Sequence, residues 1–175
     1  MKIIKYFFEF VSIISLFCIF KIIGLKNASN LGGLLGRLIG PLFRSRNIIK
    51  QNIKIGLGNL NEKKEEEIIN GMWSNIGRTF AEYVFLKDFK LNKTNFDHIK
   101  INGTNYLNEI KKTNQPVVFF SCHLANFELM AMELDKFGIK CAAIYRPLNN
   151  IFLNPLMEYL RMKYICPNQI PKGRV

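Results

Sequence analysis

The feature that most restricts what this chain can become is its beginning. From Ile3 to Leu25 the residues are mostly Ile, Phe, Val and Leu, and the only charges are Lys5, Glu9 and Lys21. The uncharged stretch, Phe10–Phe20, is eleven residues. A spanning helix needs roughly 20 apolar residues, so crossing a bilayer requires Lys21 to snorkel and Lys5 and Glu9 to sit in the interface. Lys2, Lys5, Glu9, Ser12 and Ser15 recur at helical spacing, one polar stripe on an otherwise apolar cylinder. The segment is therefore expected to span the membrane or to lie in one leaflet; the plainer alternative is a buried core helix. A cleaved signal peptide fits less well, because the apolar run passes into Lys21-Ile-Ile-Gly-Leu-Lys26 with no small-x-small cleavage site.

Charge follows the same division. The 175 residues carry 25 Lys and Arg against 13 Asp and Glu, a net +12. Residues 1–58 account for +8 of it, residues 59–100 are neutral and residues 101–175 carry +4. The cations Lys21, Lys26, Arg37, Arg44, Arg46, Lys50 and Lys54 flank the apolar run. That placement favours anionic lipid headgroups over nucleic acid, whose binders line a groove or helix with cations and interleaved aromatics. By the positive-inside rule the body of the protein stays on the cytoplasmic side. Cys18, Cys122, Cys141 and Cys166 show no C-x-x-C spacing; they read as free thiols in a reducing compartment, with no metal site.

Three segments are expected: a membrane anchor helix over 1–25, a basic, Gly-rich membrane-proximal segment over 26–60, and an α/β portion over 61–175. Leu31–Gly40 suggests a second short apolar element against the membrane, whose glycines permit close packing but weaken the helix. Asn61 is placed to cap a helix carrying Glu62 in its first turn. Ile68, Ile69, Met72, Trp73, Ile76, Phe80, Tyr83 and Val84 extend it at threes and fours to Leu86. Residues 87–98 read as a loop, with His98 on the surface. Beyond it, strands are expected at Ile99–Ile101, Pro116–Ser121, Cys141–Tyr145 and Tyr164–Cys166. Helices are expected at Tyr106–Lys112, Asn126–Phe137 and Ile151–Arg161. This alternation predicts an α/β fold with a mixed, mainly parallel sheet flanked by helices.

Ser121-Cys-His-Leu-Ala-Asn-Phe-Glu128 lies where the strongest predicted strand gives way to a helix, and ligands of open α/β sheets gather at the carboxyl ends of strands. His123 would face a substrate there. Glu128 would fall in the first turn of the next helix, whose dipole favours a carboxylate. A carboxylate beside an imidazole fixes its tautomer and stabilises the imidazolium, as a general base for an alcohol requires. Spacing alone also fits a histidine at a strand end and a glutamate decorating a helix start. Cys122, next to His123 on a strand, would point to the opposite face and is expected to be a buried structural thiol.

The wider text is more specific. Phe119-Phe-Ser-Cys-His-Leu-Ala-Asn-Phe-Glu-Leu129, followed by Ala143-Ile-Tyr-Arg-Pro-Leu-Asn-Asn150, resembles the bacterial lipid A biosynthesis acyltransferases, the lauroyl/myristoyl family. His123, Asn126 and Glu128 match that family's G-H-x-x-N-W-E. Tyr145, Arg146, Pro147 and Asn149 or Asn150 match its Tyr-Arg-Pro-x-x-Asn, and Leu160-Arg161 its helix end. Cys122 replaces the Gly and Phe127 the Trp. The resemblance implies transfer of a fatty acyl chain from acyl carrier protein to a hydroxyl of a lipid A precursor, at the cytoplasmic face of the inner membrane. The carrier is a cosubstrate and no cofactor is implied. His123 would be the general base, and Glu128 would orient and charge it. Arg146 would hold a phosphate of the precursor or of the carrier's phosphopantetheine, or else a structural salt bridge. Asn126 and Tyr145 would face the substrate, although Asn126 also suits a helix cap.

Family members run to roughly 300 residues, about two typical domains. The expectation is thus a C-terminally truncated or split member, with an unpaired sheet edge. Such a fragment would be active, inactive, or completed by a separately encoded C-terminal half.

Overall fold

The structure is a computed structural model and describes residues 1–93 and 99–173. His98 and part of the expected 87–98 loop lie outside the described residues. The chain forms two compact units, one helical (Leu16–Val84 with Leu124–Asn126) and one mixed (Met1–Ser15, Phe85–His123 and Phe127–Val175). Helix α1, Lys2–Ile23, belongs to the mixed unit up to Ser15 and to the helical unit from Leu16. Its 22 residues span about 33 Å at 1.5 Å per residue. By length and composition it is able to cross a membrane.

In the helical unit α1 ends before Gly24, whose φ of 79° is a left-handed value that glycine tolerates. Helix α2, Leu25–Ile39, leads through a 3₁₀ turn, Gly40–Leu42, to α3, Arg46–Leu57, and then to α4, Glu62–Glu82. Asn61 caps α4 as its sequence position predicts, its side chain accepting from the Lys64 amide at 2.9 Å. Gly32, Gly36 and Gly40 fall at intervals of four, on the face of α2 that meets α4. A Cβ added at Gly32 would stand 2.6 Å from the Ala81 Cβ, and one added at Gly77 would stand 2.9 Å from the Gly36 Cα. Two helices approach this closely only backbone to backbone. The expected close packing of the Gly-rich segment is therefore realised, within a helix longer than the apolar run suggested. Trp73 closes the seam against Gly40 and joins Ile49, Ile53 and Ile69 in a core under α3. Ion pairs Arg46–Glu66 and Lys50–Glu65 fasten the rim of α3 to α4.

The mixed unit contains α5, Leu86–Lys90, α6, Thr104–Thr113, and α7, Glu128–Lys136. Strand β1, Ala142–Tyr145, is followed by α8, Leu153–Leu160, a π-helical turn, Arg161–Ile165, and β2, Asn168–Pro171. The strands pair in parallel from Ala142↔Asn168 to Tyr145↔Pro171. A parallel pair needs a long crossover, which α8 and the π turn supply. Leu86, Phe89, Met132, Leu134, Leu153 and Ile165 are buried here. The chain is mostly helical, with a two-stranded parallel sheet among the described residues.

Several expectations are corrected. Residues 116–121 form no strand and are exposed, Phe120 to 92%. Residues 99–101 are irregular, Tyr164 and Ile165 end the π turn, and the last strand begins four residues later than expected. Part of the expected loop is α5. An apolar β-branched and aromatic run advertises a strand, but a strand exists only where a neighbour accepts its backbone bonds, and periodicity is silent about neighbours.

The glycine seam predicts a contrast. Gly77→Ala should destabilise the protein by about 1–3 kcal/mol through overpacking. Gly71→Ala, where an added Cβ meets nothing within 4 Å, should stabilise by about 0.5–1 kcal/mol. Thermal unfolding in detergent would measure both.

Candidate active site

His123 and Glu128 both lie in the mixed unit, at opposite ends of an irregular turn. His123 is exposed, and its ring centroid is 4.1 Å from that of Phe127, tilted by 55°. Phe127 thus supplies the surface on which the imidazole rests. Glu128 lies in the first turn of α7, as expected, but as its first residue, because the helix starts two residues later than Asn126, and it is 8% exposed. Its Oε1 accepts from Arg161 Nη2 at 2.6 Å and Nε at 3.1 Å. Arg161 opens the π-helical turn after α8, so the turn delivers a guanidinium to the start of α7.

Between the two, Leu124–Asn126 belongs to the helical unit. Ala125 adopts φ 48°, a left-handed value uncommon for a residue with a Cβ. Its carbonyl accepts from Asn75 Nδ2 and Thr79 Oγ1, each at 3.2 Å. Asn126 Nδ2 donates to Glu82 Oε2 at 2.8 Å, while Ser29 Oγ donates to Glu82 Oε1 at 2.8 Å. Arg78 donates to Ser29 and to Asn30. Asn75, Thr79 and Glu82 are one stripe of α4, at spacings of four and three, that grips the strained turn. That polar stripe was visible in the sequence, although its partner was not. Asn126 does not cap α7, which starts two residues later with Phe127 at the cap and no side-chain cap bond. Its Oδ1 is buried without a hydrogen-bond partner among the described residues.

The second motif divides in the same way. Tyr145 ends β1 and its hydroxyl donates to Glu158, which also accepts from Asn154 Nδ2 at 3.0 Å. Arg146 is exposed and makes no ion pair or hydrogen bond among the described residues. Asn150 is buried with its amide in use on both sides. Nδ2 donates to the Tyr6 carbonyl at 2.9 Å and to Glu9 Oε2 at 3.0 Å, and Oδ1 accepts from the Phe152 and Leu153 amides. Cys122 is exposed rather than buried, because no strand forms to turn it inward. Among the described residues no three His, Cys, Asp or Glu side chains gather as metal ligands would.

Burial, and then the charges of Cys166 and Asp135, push the Cys141 thiol above its ordinary value. The Tyr159 hydroxyl, which accepts from exposed Lys163, raises that ammonium.

The exposed His123 imidazole thus stands five residues ahead of a buried, ion-paired carboxylate. The model of the bacterial lipid A biosynthesis acyltransferase family matches residues 1–165, and the chain belongs to that family. It is an enzyme family of acyl transfer in lipid A biosynthesis. No curated protein and no solved structure matches the chain.

Arg161→Ala would remove the cation that meets buried Glu128 and should cost about 3–5 kcal/mol, measured by denaturant unfolding; Glu128→Gln/Arg161→Met should recover much of it. Because the Cys141 value is raised, that thiol stays protonated to higher pH in the folded protein. Its stabilising contribution is complete below the ordinary thiol value and fades as pH rises through the raised one. Near about pH 8.5 iodoacetamide should alkylate Cys141 more slowly than exposed Cys122, with mass spectrometry reading the two rates.

Proposed function

We propose that the chain transfers a fatty acyl group from acyl carrier protein to a hydroxyl of a lipid A precursor, at the cytoplasmic face of the inner membrane. The observation that carries this reading is the exposed His123 imidazole placed five residues before buried Glu128, in a chain of this family. His123 accepts the hydroxyl proton as the acceptor oxygen attacks the thioester carbonyl. The tetrahedral adduct collapses, the C–S bond breaks, and the imidazolium returns its proton to the departing thiolate of the carrier. No covalent enzyme intermediate is required. Glu128, anchored by Arg161, supplies the negative charge that orients the imidazole and stabilises its cation. Arg146, exposed past β1, grips a phosphate of the precursor or of the carrier's phosphopantetheine. Tyr145 faces the substrate at the end of β1. Helix α1 holds the protein in the membrane that contains the acceptor, and the cations after it keep the body on the cytoplasmic side.

Membranes containing the chain, supplied with acyl-acyl carrier protein and a lipid A precursor, should form the acylated product. His123→Ala should lower the rate by about 10²–10⁴-fold. Thioester loss without acylated product would point instead to a hydrolase in which water is the acceptor. Absence of both products in the parent chain would overturn the assignment.

A further inference from the structure

The turn between α2 and α3 has an exposed apolar tip that acyl transfer does not use. Residues 37–48 are all exposed except Gly40. Gly40 lies so close under Trp73 that an added Cβ would come within 2.8 Å of the indole Cγ. Pro41 follows, and the Phe43 amide donates to the Gly40 carbonyl at 2.9 Å, closing a 3₁₀ turn. With the glycine held beneath the indole, the next side chains turn outward. Leu42 and Phe43 are 83% and 80% exposed, and Leu38 and Ile39 are exposed beside them in sequence. An apolar tip of this kind has no favourable partner in water.

The charge around it indicates what that partner is. Arg37 and Arg44 bracket the tip, both exposed and without a hydrogen bond or ion pair among the described residues. Lys54 is likewise uncommitted, whereas Arg46 and Lys50 are taken by Glu66 and Glu65. No Asp or Glu occurs from Phe10 to Asn61, a stretch holding seven Lys and Arg. A protein surface would have to match both an apolar knob and a field of one sign. An anionic bilayer offers both at once, phosphates at the depth of the guanidiniums and acyl chains just below them.

We propose that residues 37–44 form a second membrane contact, in which Leu42 and Phe43 enter the acyl region of an anionic bilayer while Arg37 and Arg44 hold its phosphates. This deepens the membrane placement proposed for α1 and rests on it. The buried Trp73 is the chain's one tryptophan, so Phe43→Trp adds a single reporter indole. The full chain would be reconstituted in phosphatidylcholine–phosphatidylglycerol vesicles carrying brominated acyl chains. Roughly half of the variant's emission should be quenched, with little loss in the parent, because one of its two indoles sits among acyl chains. Leu42→Trp should behave alike, and Arg37→Gln/Arg44→Gln should weaken the quenching. If the parent chain floats with the vesicles but the new indole is quenched only by aqueous acrylamide, the second contact is overturned while the α1 anchor stands. An indole shielded from both quenchers would mean that protein covers the turn, which also overturns it. A parent chain that does not float removes both placements.

Discussion

Where Gly32 and Gly36 of α2 meet Gly77 of α4 there is no side chain between the two backbones. Gly32 and Gly36 on one helix and Gly77 on the other leave room for peptide groups to touch, and Ala81 is the largest residue admitted beside Gly32. Several other features of the helical unit are consequences of that spacing. Trp73 fits over Gly40 because the helices are already close, and its ring completes the core with Ile49, Ile53 and Ile69. The same proximity lets Ser29 and Asn30 on α2 reach Glu82 and Arg78 on α4. Without glycine the seam would open, and those polar groups would lose their partners inside a partly buried interface.

The stripe of α4 that receives residues 124–126 shows how local structure and chemistry are joined. Asn75 and Thr79 share one carbonyl of a left-handed alanine, and Glu82 holds the next side chain. A residue with a Cβ adopts that backbone only where its surroundings hold it there. Here the constraint acts in the three residues that separate His123 from Phe127.

The sequence was most informative where a single element carries its own signal. Asn61 and the apolar positions that follow it define α4, and Gly32, Gly36 and Gly40 announce a close contact. The change from apolar run to helical pattern places Glu128 in the first turn of a helix, where it is found. Legibility failed where the answer depends on a neighbour. Residues 116–121 have the composition of a strand and, among the described residues, no strand beside them. Asn126 has the chemistry of a cap, but Glu82, 44 positions earlier, claims its amide. Arg161 looked like the end of a helix. Only the π turn shows that it reaches back 33 positions to Glu128. None of these pairings has a period, so no pattern along the chain can reveal them.

Asn150 gives α1 a second character. Its amide grips the Tyr6 carbonyl and Glu9 while its oxygen starts α8, and Phe7 and Phe10 pack their rings near Phe152. The leading helix is therefore keyed, with one rotational setting in which its lone carboxylate finds a donor. Such a helix is not an interchangeable tether. A generic apolar segment of equal length would leave a buried amide half satisfied, and sliding by even one residue would swing Glu9 about 100° away from it. Exchanging the first turns of α1 would therefore be felt at the start of α8, where the same Asn150 oxygen accepts from the Phe152 and Leu153 amides.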